Sequence, residues 1–220
     1  MAADFGFRAL TDLPDSIPVF PLDGALVLPR AQLPLNIFEP RYLAMVDSAL
    51  ATKSRLIGMA QTAHGEMDEP SPELAEVGCA GKIVSFSETG DGRYLISLAG
   101  IARFRIAEEL STDSSFRRVR PDWAPYAADL DPPTDAPFDR EGFEAVLKEF
   151  FSARDLAADW DSIKAAPLEP LVNQLAIGCP FAPSEKQALL EAGTVQERLE
   201  VLITLMRMAA AGDADPGAVQ

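Results

Sequence analysis

Five prolines fall within IPVFPLDGALVLPRAQLPLNIFEP, residues 17–40, and they restrict the fold more than any other feature of the chain. Between them run three short apolar segments, 17–20, 25–28 and 33–38. Such runs read as strands, yet proline lacks the N–H that a central strand must donate. The segments are therefore expected as edge strands, bulges or strand starts. Breaks spaced this closely suit a chain that bends repeatedly around a small barrel and do not suit a flat sheet.

One helix interrupts the strands. Pro40 fits the first helical position, where a missing donor costs nothing, and Leu43, Met45, Val46 and Leu50 supply an apolar face over residues 40–51. Residues 55–61 read as the next strand. Residues 62–76, with two prolines, one glycine and five acidic groups, read as an exposed loop. The clearest β pattern follows. Residues 78–88 and 93–99 alternate around Thr89-Gly90-Asp91-Gly92, a hairpin turn with glycines available for positive φ. Residues 101–107 form another strand, with Ala102, Phe104 and Ile106 inward and Arg103 and Arg105 outward. Residues 116–120 are the last strand.

The Asp/Pro-rich stretch 127–137 is expected to be a linker, ending a β-rich domain of residues 1–126. Beyond it the pattern is helical. Phe143, Val146, Leu147, Phe150 and Phe151 recur at three and four residues, as one buried face requires. Ser184 with Gln187, and Thr194 with Glu197, have the spacing of capping boxes. Val195, Leu199, Leu202, Ile203 and Met206 make the buried stripe of the final helix. Residues 138–211 are thus expected as a helical bundle and 212–220 as a frayed tail. The fold class is α+β: a β-barrel with one inserted helix, followed by helices.

Charge and side-chain chemistry exclude more than they include. The net charge is −15, with 12 Lys/Arg against 17 Asp/Glu in residues 1–126 and 7 against 17 in residues 127–220. Such a chain repels phosphate backbones and anionic lipid, so nucleic acid and membranes are disfavoured partners. Cys79 and Cys179 stand far apart outside any CxxC pattern, which leaves no zinc site and no disulfide framework. The first 16 residues lack the apolar run of a signal peptide, no segment is long and apolar enough to cross a membrane, and the cytoplasm is the expected location. The single histidine, His64, falls in the acidic loop, a poor place for a general base. There is no GxxxxGK[ST] and no GxGxxG. Neither Ser162 near Lys164 nor Ser184 near Lys186 has a nucleophile turn. No catalytic residue, metal ligand or cofactor is assigned.

Three segments, in order, resemble one family. The first is IPVFPLDGALVLPRAQLPLNIFEPRYLAMVDSAL (17–50), the second VGCAGKIVSFSETGDGRYLISLAGIARFRI (77–106) with its Gly-x-x-Arg, and the third PFAPSEKQALLEAGTVQERLEVLITLM (180–206). Together they are similar to the substrate-binding N-terminal domain of Lon-type proteases, from about Ile17 to about Met208. The resemblance implies a PUA-like barrel followed by a helical bundle. Full-length Lon proteins continue into ATPase and Ser–Lys protease domains. This sequence contains neither and resembles the standalone Lon-domain proteins, so a non-catalytic module binding unfolded or partner polypeptide is expected.

The candidate ligand contacts are Pro34, Leu35, Phe38, Glu39, Arg41 and Arg103. Pro34, Leu35 and Phe38 either pack into the core or line an apolar groove. Glu39 and Arg41 flank Pro40, where they either rim that groove or stabilise the helix start. Arg103, of the Gly-x-x-Arg signature, either contacts a ligand or ties strands to an acid such as Glu88. RNA binding is the alternative function. It draws on the barrel type and on Arg117, Arg118 and Arg120 with Phe116, Trp123 and Tyr126. An undetected hydrolase would need a deep pocket with a convergent polar triad.

Overall fold

The computed structural model describes residues 5–63, 72–133 and 137–212; His64 and the expected tail beyond Gly212 lie outside them. The chain divides into two units, Met1–Pro132 with Phe181–Leu190, and Pro133–Pro180 with Glu191–Gln220.

The first unit carries six strands: β1 (Ile17–Pro21), β2 (Gln32–Ile37), β3 (Leu56–Ala60), β4 (Val77–Glu88), β5 (Tyr94–Leu110) and β6 (Arg117–Asp122). They lie in the order β2-β5-β4-β3-β1-β6, and β6 also pairs with β5. That last pairing closes β5, β4, β3, β1 and β6 into a barrel. β2 is left outside, paired to the first part of β5 from Gln32↔Ala99 to Ile37↔Tyr94. All pairings are antiparallel except β1 with β3.

β5 serves both β2 and β6 because it bends. Seventeen residues of straight strand would extend ~56 Å, too long for one wall of a small barrel. Ile101 is an extra residue against β4, and a second shift falls between Ile106 and Glu108 against β6. Such bulges bend a strand and sharpen its twist. The two strands read separately at 93–99 and 101–107 are therefore one.

Pro34 lies in the edge strand β2, as expected, but the prolines of β1 do not follow that expectation. β1 is not an edge strand but lies between β3 and β6, with Pro18 and Pro21 inside it. Its two ladders overlap only at Val19: β6 pairs with Ile17–Val19 and β3 with Val19–Pro21. Each proline thus sits where only one neighbour pairs. Residues 25–28 are not a strand; Leu26, Val27 and Leu28 are buried in irregular chain. A tight turn follows, in which Ala31 N–H donates to the Leu28 carbonyl at 3.0 Å. Pro29 takes the position whose φ it pre-sets, and Arg30 has φ 65°, where glycine is usual. Arg30 N–H donates to Gly100 O at 2.9 Å and Gly100 N–H to Ala31 O at 2.8 Å, a bulge that ends the β2–β5 ladder. A Cβ on Gly100 would lie 1.9 Å from the Leu28 carbonyl oxygen. Only glycine admits the turn.

Phe104 is fully buried at the centre of the barrel, edge-on to Trp123 at 5.5 Å. Gly58 and Gly78 make room for its ring, since a Cβ on either would approach it within 2.8 and 2.7 Å. Ile17, Val19, Leu56, Ala80, Ala102 and Val119 complete this core. Helix α1 (Pro40–Leu50) starts on Pro40 as expected, but buries Tyr42, Met45, Val46 and Ala49. Leu43 and Leu50 are half-buried, so the buried face is rotated from the expected one.

The second unit holds α2 (Arg140–Ala153), α3 (Trp160–Ala165), α4 (Leu168–Gly178) and α6 (Val195–Gly212). α2 buries Phe143, Val146, Leu147 and Phe150, and α6 packs against α2 and α4. Thr194 caps α6, its hydroxyl accepting from Glu197 N–H at 3.1 Å. The buried Arg198 donates to Asn173 on α4 at 3.1 Å.

α5 (Pro183–Glu191) departs from the expected bundle, because Phe181–Leu190 group with the barrel. Polar contacts hold it there. Buried Gln61 donates to the Pro183 carbonyl and to Gln187 Oε1, both at 3.0 Å, and accepts from Gly24 N–H. Lys186 Nζ donates to Gly24 O at 2.8 Å, and Gln187 Nε2 to Val77 O at 3.1 Å. Gln187 therefore faces the barrel instead of closing a box with Ser184, which lies inside the helix. Glu185 reaches back to Ala182 N–H at 2.7 Å in that role.

Candidate functional site

Beyond the closed barrel, β2, the first residues of β5 and the last residues of β4 continue as a three-stranded extension. Its register aligns Leu35 with Ile96 and Phe86, and Asn36 with Leu95 and Ser87. Paired residues share a face and neighbours alternate. One face therefore carries Pro34, Asn36 and Leu95, with Phe38 just past the strand end. The other carries Leu35, Ile37, Ile96, Tyr94 and Phe86.

Large apolar groups are left in water here. Phe38 is 62% exposed, Leu95 46%, Phe86 43% and Val84 40%. These are four of the seven large hydrophobic side chains exposed among the described residues, and such concentration marks contact surfaces. The Arg93 guanidinium lies 5.9 Å from the Phe38 ring, and Phe86 meets Tyr94 edge-on at 4.9 Å. Pro34 is exposed and Leu35 half-buried. At the start of α1, Glu39 does not cap the helix with its side chain; it accepts from Arg41 Nε at 2.9 Å. Arg41 also lies 4.5 Å over the Tyr42 ring. The structure thus brings Pro34, Leu35, Phe38, Glu39 and Arg41 to one end of the sheet. Sequence reasoning missed Val84, Phe86, Arg93 and Leu95. Their signal was a broken alternation, with Leu95 apolar between Tyr94 and Ile96.

Arg103 is elsewhere. It is 4% exposed and does not face outward, and its partner is Asp129, not Glu88. Nε donates to Oδ2 at 2.9 Å and Nη2 to Oδ1 at 2.8 Å, while Nη1 reaches the Leu190 carbonyl at 3.2 Å. The Tyr126 ring lies 4.7 Å away. Burial works against the guanidinium charge, but the Asp129 carboxylate outweighs it and holds the group above its ordinary pKa. Arg30 Nη1 donates to the Asp129 carbonyl at 2.6 Å. Residues 124–130 are consequently an ordered 3-10 segment, Ala124–Leu130, locked to the barrel by two arginines, and not the start of a linker.

The arginines behind the RNA alternative are already engaged. Arg117 pairs with Glu109 and donates to Pro72 O at 2.6 Å, Arg120 pairs with Glu108, and Arg118 Nη2 donates to Ser16 Oγ at 3.1 Å. Trp123 is buried, with its indole N–H on Pro14 O at 3.1 Å. Ser162 donates to Asp159 at 2.6 Å at the start of α3. Among the described residues, no group of three His, Cys, Asp or Glu is placed to hold a metal ion, and no helix is long and apolar enough to cross a membrane.

The family model of the ATP-dependent protease La (LON) substrate-binding domain matches residues 16–208. The chain belongs to this family. Among curated relatives, Lon protease 2 of Sorangium cellulosum is 27% identical over 203 residues, covering 87% of this chain. Lon protease 2 of Thermus thermophilus is 27% identical over 210 residues. The chain spans about a quarter of their length, 24% in each case. A Lon N-terminal domain protein from Xanthomonas campestris superposes with a TM-score of 0.61 at 23% identity, covering 86% of this chain and 97% of that one. The N-terminal domain of Lon protease from the Mycobacterium avium complex gives 0.61 at 20% identity. These two likenesses establish the fold. In this chain's Gly100-Ile101-Ala102-Arg103 stretch, Gly100 admits the Leu28–Ala31 turn and Arg103 holds Asp129.

Proposed function

We propose that this Lon-family domain is a non-catalytic, cytoplasmic recognition module that holds unfolded or partner polypeptide on the apolar end of the β2–β5–β4 extension. The observation that carries this reading is the clustering of Phe38, Leu95, Phe86 and Val84 in solvent at one end of one sheet. The family's description as a substrate-binding domain agrees with it. An unfolded chain exposes apolar side chains that a folded one hides, so an exposed apolar surface discriminates between the two.

The test is fluorescence anisotropy with labelled, reduced and carbamidomethylated lysozyme as the unfolded ligand and native lysozyme as its charge-matched control. Working at ~0.15 M salt keeps the −15 charge from dominating through long-range attraction. The unfolded form binds and the native form does not. Phe38→Ser weakens binding by ~10-fold or more, as expected for losing one buried phenyl contact. Equal binding of both forms, or an unchanged affinity in Phe38→Ser, refutes the proposal.

A further inference from the structure

Barrel closure gives most strands of the first unit two neighbours, but among the described residues the extension keeps two open edges. One is β2, the terminal strand of the sheet. The other is the last part of β4, beyond its pairing with β3 at Cys79–Lys82. They are not equivalent. The β4 edge carries a register shift between Ile83 and Ser85 and ends on Glu88, a bulge and a charge, both of which discourage further pairing. β2 reads Gln32-Leu33-Pro34-Leu35-Asn36-Ile37 and has no charge at all, in a chain that is 24% charged.

Pro34 fixes which way the β2 backbone points. It is aligned with Ser97 of β5 and has no N–H to give, so the Pro34↔Ser97 pair is a non-hydrogen-bonded one. Alternation then turns Leu33, Leu35 and Ile37 toward β5, which agrees with Ala31 accepting from Gly100 N–H. Gln32, Pro34 and Asn36 face the open side. They offer two N–H donors, Gln32 and Asn36, and three carbonyl acceptors. Half-buried Leu35 and exposed Phe38 lie along the same edge.

Resting on the polypeptide-binding reading, we infer that the bound segment adds to β2 as a further strand. The main-chain groups of Gln32, Pro34 and Asn36 hold its backbone while Phe38 and Leu95, on one face of the extension, contact its alternate side chains. The occupant is an extended polypeptide, because only an extended backbone presents donors and acceptors at the spacing of a strand edge. Main-chain pairing reads no sequence, so the site takes many segments with apolar residues at alternate positions and rejects helices and folded surfaces.

Two measurements test this with the unfolded lysozyme ligand. In hydrogen exchange followed by NMR, the amides of Gln32 and Asn36 slow at least ~10-fold on binding, while those of Leu33 and Leu35, already paired to β5, change little. In anisotropy, Asn36→Pro removes one outward donor and leaves every apolar side chain in place. It weakens binding by ~3- to 10-fold, the worth of one main-chain hydrogen bond. Gln32→Pro, at the other donor, replaces it if that variant fails to fold. If Phe38→Ser weakens binding while Asn36→Pro and both amides are unaffected, strand addition is wrong and the apolar-surface reading survives. Where none of these changes matters, both fall. Dimers in sedimentation velocity that Asn36→Pro dissociates would assign the edge to a second copy of this chain, which also overturns the inference.

Discussion

Replacing Arg103 with leucine removes one of the two arginines that hold the 3-10 segment Ala124–Leu130 to the barrel. Arg103 and Asp129 are 4% and 8% exposed and share two charge-assisted hydrogen bonds of 2.9 and 2.8 Å. In Arg103→Leu the Asp129 carboxylate stays buried, with the main-chain N–H of residue 103 as its remaining donor among the described residues. Stranding one member of a buried ion pair costs about 3–5 kcal/mol, a large share of the ~5–15 kcal/mol that holds a domain of this size together. In Arg103→Leu/Asp129→Leu no charge is stranded. What remains are the residue 103 N–H and the Leu190 carbonyl without their present partners, on the order of 1–3 kcal/mol for each group that water does not reach. The double variant is therefore more stable than the sum of the two single losses by several kcal/mol. Urea unfolding followed by Trp123 fluorescence reads this directly, in a Trp160→Phe background that silences the other tryptophan. With a slope of ~2 kcal/mol/M, the midpoint of Arg103→Leu falls by ~1.5–2.5 M. A loss below ~1 kcal/mol, or strictly additive single losses, would show that the Gly-x-x-Arg arginine does not hold the fold.

Four further variants test neighbouring steps. Gly100→Ala places a Cβ 1.9 Å from the Leu28 carbonyl, which backbone movement must relieve; a loss of ~2 kcal/mol or more is expected in the same urea assay. Arg30→Ala loses the 2.6 Å bond to the Asp129 carbonyl and keeps φ near 65°. It should therefore be less stable than Arg30→Gly by about 1 kcal/mol. Arg120→Ala breaks only an exposed pair with Glu108 and should cost less than ~1 kcal/mol. Tyr42 packs 4.2 Å from Phe20, and burial raises its pKa. The unfolded chain ionises first, near pH ~10, so stability falls as pH rises through that range. Tyr42→Phe should flatten this fall in urea midpoints measured between pH 8 and pH ~11.

The barrel was legible in the sequence where one local rule settles a segment. The Thr89–Gly92 turn between alternating runs announces the hairpin, and Pro40 before an apolar face announces α1. Three features escaped because they depend on residues distant in the chain. The 3-10 segment Ala124–Leu130 looks like Asp/Pro-rich linker, and nothing nearby shows that Asp129 will meet Arg103, 26 residues before it. α5 has the length and pattern of a bundle helix, but Gln61 and Lys186 decide its neighbour, and polar groups leave no hydrophobic period to read. β1 carries two prolines and is still flanked by two strands, because its ladders are staggered. In the candidate site, Pro34, Leu35 and Phe38 could be named as apolar residues of a proline-bent segment, and Glu39 and Arg41 from flanking Pro40. The hairpin residues Phe86 and Leu95 join them through the β2–β5–β4 register, which sequence spacing does not display.

Arg103 and Phe38 lie apart, and different physical demands act on them. Gly100 and Arg103 are fixed by geometry: a 1.9 Å approach leaves no room for a side chain, and a buried carboxylate demands a bidentate partner. Those constraints hold whatever the domain binds. The exposed positions on β2, β4 and β5 face no such requirement. Phe38 and Leu95 could be serine without disturbing any contact of the barrel core described above, and the exposed surface would then be less prone to unwanted association. These large apolar side chains stand in water beside an uncharged strand edge, outside the barrel core. Their concentration at one end of one sheet supports the proposed recognition of other chains, and the barrel behind them sets where on the domain that recognition would act.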